Sequence, residues 1–302
     1  MIKLKPSTIT LILINVSLFI LLLIAQCTKK IKYDPKEYIV RLVPPSILKE
    51  TKTIVLSSNK KNTLPVDSSF KIIKKEKTYI LKKGRHEYYI KIDLIERLFK
   101  ELVRERKAYF ITNNFSDYIY YGISEDESFS FRFIGKNEEI LLDLYIGFPD
   151  STEYLRYIRR GSVASSVIAV EDNISTFLTS SPLFWLDMQI YKAKFMNDNI
   201  LEINMKNEVA IRNKQNDLFF KMLEKTLSSL TMINIFDGLP IENDKTKTFT
   251  IKLEKGSDLS ISLTPLENED YILFDNTGKG SYIISSYSTK KLIEKIENIF
   301  SY

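Results

Sequence analysis

Apolar residues recur along the chain in two alternating arrangements, and each arrangement occurs twice. Asp93-Leu94-Ile95 opens a segment with apolar positions at Leu94, Ile95, Leu98, Phe99, Leu102 and Val103. This i, i+4 spacing is that of a helix packed on one side. Asp217-Leu218-Phe219 opens a second such segment with Leu218, Phe219, Met222, Leu223 and Leu227, and an offset of 124 residues lays the first on the second. Each predicted helix runs into a strand-like stretch, Ala108 to Ile111 in one case and Met232 to Ile235 in the other.

Strict alternation follows in both halves. Phe129, Phe131 and Phe133 alternate with polar residues ahead of Gly135-Lys136-Asn137, and Phe249, Ile251 and Leu253 do so ahead of Lys255-Gly256-Ser257. Period-2 alternation beside a glycine-containing turn predicts an antiparallel hairpin with one face on a core. The return strands are Ile140 to Tyr145 and Leu259 to Leu263. Next come Tyr154 to Tyr157 with Ser166 to Val170, matched by Tyr271 to Phe274 with Ser281 to Ile284. Closing helices are expected at Asp172 to Leu178 and Ser288 to Phe300. Before the opening helices stand short strands, Phe70 to Ile73 and Tyr79 to Leu81 in the first half, Ile200 to Met205 and Val209 to Ile211 in the second.

Helices on one face of a mostly antiparallel sheet make an α+β fold. The expectation is two tandem similar modules, residues 51–180 and 181–302. Residues 182–187 (PLFWLD) join them, and Trp185 is expected to be an interdomain anchor because a large aromatic gains most from burial.

The amino terminus follows a third pattern. Lys3 and Lys5 precede Thr8 to Ala25, an apolar run that holds no charge. About 18 apolar residues at 1.5 Å rise approach the thickness of a hydrocarbon core, whereas the apolar part of a cleaved signal is shorter, about 7 to 15 residues. Length thus favours a retained transmembrane helix over a cleaved signal. Ile24-Ala25-Gln26-Cys27 also resembles a bacterial lipobox, so residues 1–27 read as a membrane anchor or, alternatively, a lipoprotein signal with lipid on Cys27. Residues 28–50 contain Pro35, Pro44 and Pro45 among charges and read as a stalk. The expected location is the bacterial inner membrane, single-pass through residues 8–25, with the bulk on the periplasmic side.

Composition narrows the chemistry. Lys and Arg number 44 against 38 Asp and Glu, a net charge of +6, but the cations are spread along the whole chain and ten of them are Arg. Nucleic-acid readers concentrate them on one face, so no nucleic-acid partner is expected. The densest basic run, Lys74 to Arg85, reads as a solvated strand face, with an anionic membrane surface as its second reading. One His and one Cys build neither a zinc cluster nor a disulfide framework. His86 is expected exposed in the turn Lys83-Gly84-Arg85-His86, without the partners of a catalytic triad. Nine glycines form no phosphate-cradling loop, and no cofactor or metal is expected. Asp143 and Asp187 are the acids set most deeply in apolar sequence, one alternating out of a strand and one capping or pairing at the module junction. Neither makes an enzyme.

Tyr121-Gly122-Ile123-Ser124, then a hairpin, then Tyr145-Ile146-Gly147, behind an N-terminal membrane segment, resembles the bacterial membrane-anchored family catalogued as domain of unknown function 4340. The likeness spans about residues 50–290, with Ile123 where that family has Leu and no proline soon after Ser124. It implies structural roles for Tyr121, Gly122 and Gly147, with Gly122 in a turn or close approach and Gly147 at a strand end. It also implies protein partners of the ABC-type permease or gliding-motility kind. The expected function is a non-enzymatic accessory or binding subunit of such a complex. The alternative is a surface or periplasmic lipoprotein binding a carbohydrate or protein ligand through exposed aromatics.

Overall fold

The computed structural model describes residues 37–58, 69–76, 78–161, 165–195, 198–238, 243–275 and 280–301. Residues 8–25 and Cys27, and with them the anchor and the lipid alternative, lie outside the described residues. Among the described residues, no helix is long and apolar enough to cross a membrane.

Two antiparallel sheets carry the fold. The strands of the first are β1 (Glu37–Val40), β2 (Thr53–Ser58), β3 (Ser69–Lys75), β4 (Thr78–Lys83), β5 (His86–Tyr89), β6 (Arg106–Thr112), β7 (Phe129–Ile134), β8 (Ile140–Pro149), β9 (Leu155–Arg160) and β10 (Val167–Glu171). They lie in the order β1-β6-β10-β9-β8-β7-β2-β3-β4-β5. The second sheet has β11 (Ile200–Met205), β12 (Glu208–Ile211), β13 (Asn234–Ile235), β14 (Lys247–Leu253), β15 (Leu259–Pro265), β16 (Tyr271–Asp275) and β17 (Gly280–Ile284), in the order β12-β11-β14-β15-β16-β17-β13. Helices α1 (Pro45–Glu50), α2 (Ile92–Val103), α3 (Pro182–Trp185), α4 (Lys192–Phe195), α5 (Asp217–Ser228) and α6 (Ser286–Phe300) complete the set.

The duplication is a property of the topology. Read from β6, the first sheet runs β6-β10-β9-β8-β7-β2-β3; read from β13, the second runs β13-β17-β16-β15-β14-β11-β12. The two sequences of strands correspond one to one, and the first module adds the hairpin β4–β5 at one edge and β1 at the other. This correspondence moves two expectations. The counterpart of β11 is β2, a strand the sequence reading passed over, so β3 corresponds to β12 and the pairing of β4 with β12 does not hold. The helices α2 and α5 are each 12 residues and start at 92 and 217, an offset of 125 where 124 was expected. Their buried faces agree with that offset: Ile95, Leu98 and Leu102 are matched by Phe220, Leu223 and Leu227.

Residues 37–50, expected in the stalk, belong to the first module. Strand β1 pairs with β6, Tyr38 opposite Ala108, and Val40, Leu42 and Val43 are buried. The prolines misled because Pro45 starts a helix, where its fixed φ and missing N–H cost nothing. The closing helix expected at 172–178 is a single 3₁₀ turn, Ser175–Phe177. That of the second half is a full helix, α6, with the Ser285 hydroxyl accepting from the Ser288 N–H at 3.2 Å.

One buried apolar cluster runs through both modules, from Phe131 and Leu144 to Ile251, Leu263 and Leu292. At the junction the rings of Tyr88 on β5 and Tyr282 on β17 meet edge to face at 5.5 Å. The Tyr88 hydroxyl donates to the carbonyl of Ser281 at 3.4 Å, and Lys83 reaches Asp237 at 2.7 Å. His86, expected on the surface, is buried, because β5 turns His86 and Tyr88 to the same covered face. Its ring lies 6.1 Å from that of Tyr88.

Candidate functional site

Tyr121, Gly122 and Gly147 meet. Residues 115–121 form a 3₁₀ segment opened by Asn114, whose side chain accepts from the Ser116 N–H at 3.2 Å. Gly122 closes it in the left-handed region at φ 63, its N–H donating to Ile119 at 3.2 Å, followed by Ile123 N–H to Tyr118 at 3.1 Å. Only a residue without Cβ takes that conformation freely. A Cβ on Gly122 would stand 2.8 Å from three ring carbons of Phe148, so the glycine lies flat against that ring. A Cβ on Gly147 would overlap the carbonyl oxygen of Tyr121 and come within 2.6 Å of Ile123 Cγ2. The two glycines therefore let two backbones touch.

Gly147 is not the strand end that the resemblance implied. It lies inside β8 where the pairing with β9 shifts, from Ile146 opposite Ile158 to Pro149 opposite Arg156. Such a bulge re-aims the side chains next to it, here Phe148, which stays 41% exposed.

Beside the bulge opens a cleft of about 510 Å³. Phe148, Phe129 and Leu178 give it apolar walls, and Glu127, Arg156 and the hydroxyl-bearing residues Ser58, Ser175, Thr179 and Ser180 give it polar ones. Its two sides are tied together. Arg156 donates to the Gly147 carbonyl at 2.8 Å and to Asp172 Oδ2 at 2.6 Å, while Asp172 Oδ1 accepts from the Ser175 N–H at 3.0 Å. The Arg156–Asp172 pair is largely buried. A desolvated pair with further hydrogen bonds on both partners is geometrically fixed, which suits a framework better than a mobile contact. A half-exposed ring face among hydroxyls and one carboxylate can bind a ligand with apolar and hydrogen-bonding faces.

On the open side of the first sheet the same crossing covers a second, small core of Tyr118, Ile123 and Val167. Arg159 is fully buried there. Its guanidinium lies 3.9 Å from the centroid of Tyr145 and 5.1 Å from that of Tyr118, and it donates to the Gly161 carbonyl at 3.1 Å. Burial, reinforced by the carboxylates of Asp143 and Glu125, pushes the Tyr145 hydroxyl above its ordinary pKa. The signal of Arg159 in the sequence is an Arg two positions after Tyr157, on one face of β9.

The other residues singled out from sequence lie apart from the cleft lining. Trp185 is fully buried; its ring stacks on Phe177 at 6.1 Å, meets Phe184 edge to face at 5.3 Å and lies tilted against Phe70 at 6.4 Å, so its ring contacts fasten the connector to the first module. Phe177 is the link to the cleft, since its neighbour Leu178 lines it. Asp143 pairs with Arg132 at 2.7 Å across β7 and β8, and Asp187 accepts from the Gln189 N–H at 3.0 Å. The structure does not bring these two acids together with the cleft.

The framework is thus a duplicated α+β platform with a preformed cleft in its first half. No family model matches the chain. An uncharacterized protein of Treponema pallidum (strain Nichols) is 23% identical over 227 residues, covering 75% of this chain and 70% of that protein. A solved structure of the inhibitor of motility of Bacillus subtilis aligns over 83% of this chain and 97% of its own at 12% identity, with a TM-score of 0.13. A likeness of that size carries no argument about fold or function.

Proposed function

We propose that the chain is a membrane-tethered, non-enzymatic binding subunit, accessory to an ABC-type transporter or related envelope complex. In this reading the cleft of the first module receives an extended segment of the partner. The observation that supports it is the crossing of Gly122 and Gly147, which holds the Phe148 ring half-exposed at the mouth of a preformed cleft. A preordered aromatic beside hydroxyls lowers the ordering cost of binding. The resemblance carried by Tyr121, Gly122 and Gly147 supplies the class of partner, and the apolar run Thr8 to Ala25 supplies the tether, which raises local concentration near that partner.

The test is a photo-crosslinking side chain in place of Ser180, at the cleft wall, in cells expressing the tagged full chain. Recovery of a permease or its ATPase, lost when Phe148→Ala is added, is the expected result. Crosslinks to no protein refute this reading.

A second reading is favoured by the hydroxyl lining of the same cleft: a lipoprotein, lipidated at Cys27, that binds a carbohydrate. Intact-mass measurement of the membrane-extracted protein separates the two, because lipidation removes residues 1–26 and adds acyl chains to Cys27.

A further inference from the structure

The duplication allows each outward position of α5 to be compared with its counterpart in α2. At the outward positions α2 carries Asp93 and Arg97, an i, i+4 pair at 3.8 Å with both side chains exposed to water. At the offset of 125 the same positions of α5 hold Leu218 and Met222, 65% and 39% exposed. At 100° per residue these lie opposite the buried face of Phe220, Leu223 and Leu227, so α5 is apolar on two opposite sides. One exposed leucine is ordinary. An exposed apolar pair replacing an ion pair in a duplicate of the same helix is a specific change.

The charges around the pair indicate what covers it. Lys225 shares its stripe, Lys221 flanks it, Lys214 stands in the turn that precedes the helix, and all three are exposed. The nearby acid Asp217 is already engaged by Lys221 at 2.8 Å and Arg212 at 2.7 Å, and its carboxyl is held below the usual range, Lys221 first and Arg212 second. A second copy of this face would set like charges against like. An anionic lipid surface accepts both parts, phosphates meeting the lysines and the acyl boundary meeting Leu218 and Met222.

We propose that the outer face of α5 docks on an anionic lipid surface. Two apolar side chains give shallow binding, so its strength in the cell rests on the tether of the proposed function, whereas the face itself does not. The test uses the full chain with Cys27→Ser and an environment-sensitive fluorophore on a single cysteine at Ser229→Cys, which continues the stripe. A control chain carries it at Arg97→Cys. Each is reconstituted in vesicles of brominated phosphatidylcholine, with or without phosphatidylglycerol.

Flotation reports whether the N-terminal run inserts, and quenching reports whether α5 touches lipid. The expected result is a loss of emission at 229 of roughly twofold or more in the anionic vesicles, absent at 97, and reversed at about 0.5 M salt where screening reaches a few ångströms. Exchanging the pair for that of α2, Leu218→Asp with Met222→Arg, abolishes the loss while the melting midpoint is kept. Equal emission in both lipids overturns the proposal, as does energy transfer between labelled copies without lipid quenching. If flotation fails, the vesicles are added from outside and the same two readings decide.

Discussion

Replacing Gly147 by Ala tests whether two backbones touch at the crossing. The added Cβ would overlap the carbonyl oxygen of Tyr121 and press on Ile123 Cγ2 at 2.6 Å, so a segment of main chain must move. Overpacking costs typically about 1–3 kcal/mol, and the upper end applies where the obstacle is backbone. About 3 kcal/mol lowers the melting midpoint by roughly 6–12 °C in a chain of this class.

Two other glycines separate steric cost from conformational cost. Gly161 has φ +80 with no atom within 4 Å of its would-be Cβ, so Gly161→Ala reads the left-handed penalty alone, about 1–2 kcal/mol. Gly122 has φ +63 and a ring at 2.8 Å, so Gly122→Ala should cost more than Gly161→Ala and fall to its level in a Phe148→Ala background. Gly147→Ala should gain nothing from Phe148→Ala. Urea unfolding of the parent, the four single variants and the two double variants, from midpoint and slope, supplies the numbers. A cost for Gly147→Ala within about 0.5 kcal/mol of Gly161→Ala, or its rescue by Phe148→Ala, refutes the close approach.

Three further outcomes are expected. Arg159→Lys should lose about 2 kcal/mol in urea unfolding, because an ammonium cannot spread over Tyr145 and Tyr118 as the buried guanidinium does. At the junction, Lys83→Ala should cost less than about 1 kcal/mol, since Asp237 is half-exposed, whereas Tyr88→Ala should cost about 3 kcal/mol by emptying the contact with Tyr282. Burial, with Asp275 second, holds the Tyr191 and Tyr282 hydroxyls protonated well above the ordinary value of 10. Raised folded values leave stability whole below about pH 10 and erode it above, by about 1.4 kcal/mol per pH unit for each tyrosine. Tyr282→Phe should remove one such proton from the slope, measured by urea midpoints between pH 9 and 11.

The repeat was legible because strand alternation is stringent. Phe129, Phe131 and Phe133 admit one register, and so do Phe249, Ile251 and Leu253; a slip by one would turn each set to the other face. The offset of 124 in the apolar pattern is one short of the 125 of the helices for a physical reason. Leu218 and Met222 are apolar but face water, and they imitate Leu94 and Leu98 of the buried face. Strand β2 is not legible as alternation, because the apolar Val55 stands between Ile54 and Leu56, the two residues it buries. Of the cleft, Tyr121, Gly122 and Gly147 were visible as punctuation. Their meeting was not, since it depends on a bulge that brings Phe148 under Gly122 across 25 intervening positions. The Arg156–Asp172 tie likewise joins a strand to a turn that periodicity read as helix.

The two halves diverged at different places, and that bears on how they work together. The first half gained the hairpin β4–β5 and the 3₁₀ segment of residues 115–121, which build the junction and one wall of the crossing. Among its described residues the second has neither, and it keeps a full closing helix against α5. A single buried cluster and the Tyr88–Tyr282 contact join them, so neither half can reorient without exposing apolar surface. If α5 rests on lipid, the height and direction of the cleft above the bilayer are then fixed by the fold and not by the length of the proposed tether. Lengthening residues 28–36 with a flexible insert should leave crosslinking from the Ser180 position unchanged as long as α5 keeps its apolar pair. The same insert combined with Leu218→Asp and Met222→Arg should weaken it, because only the tether then sets where the cleft lies.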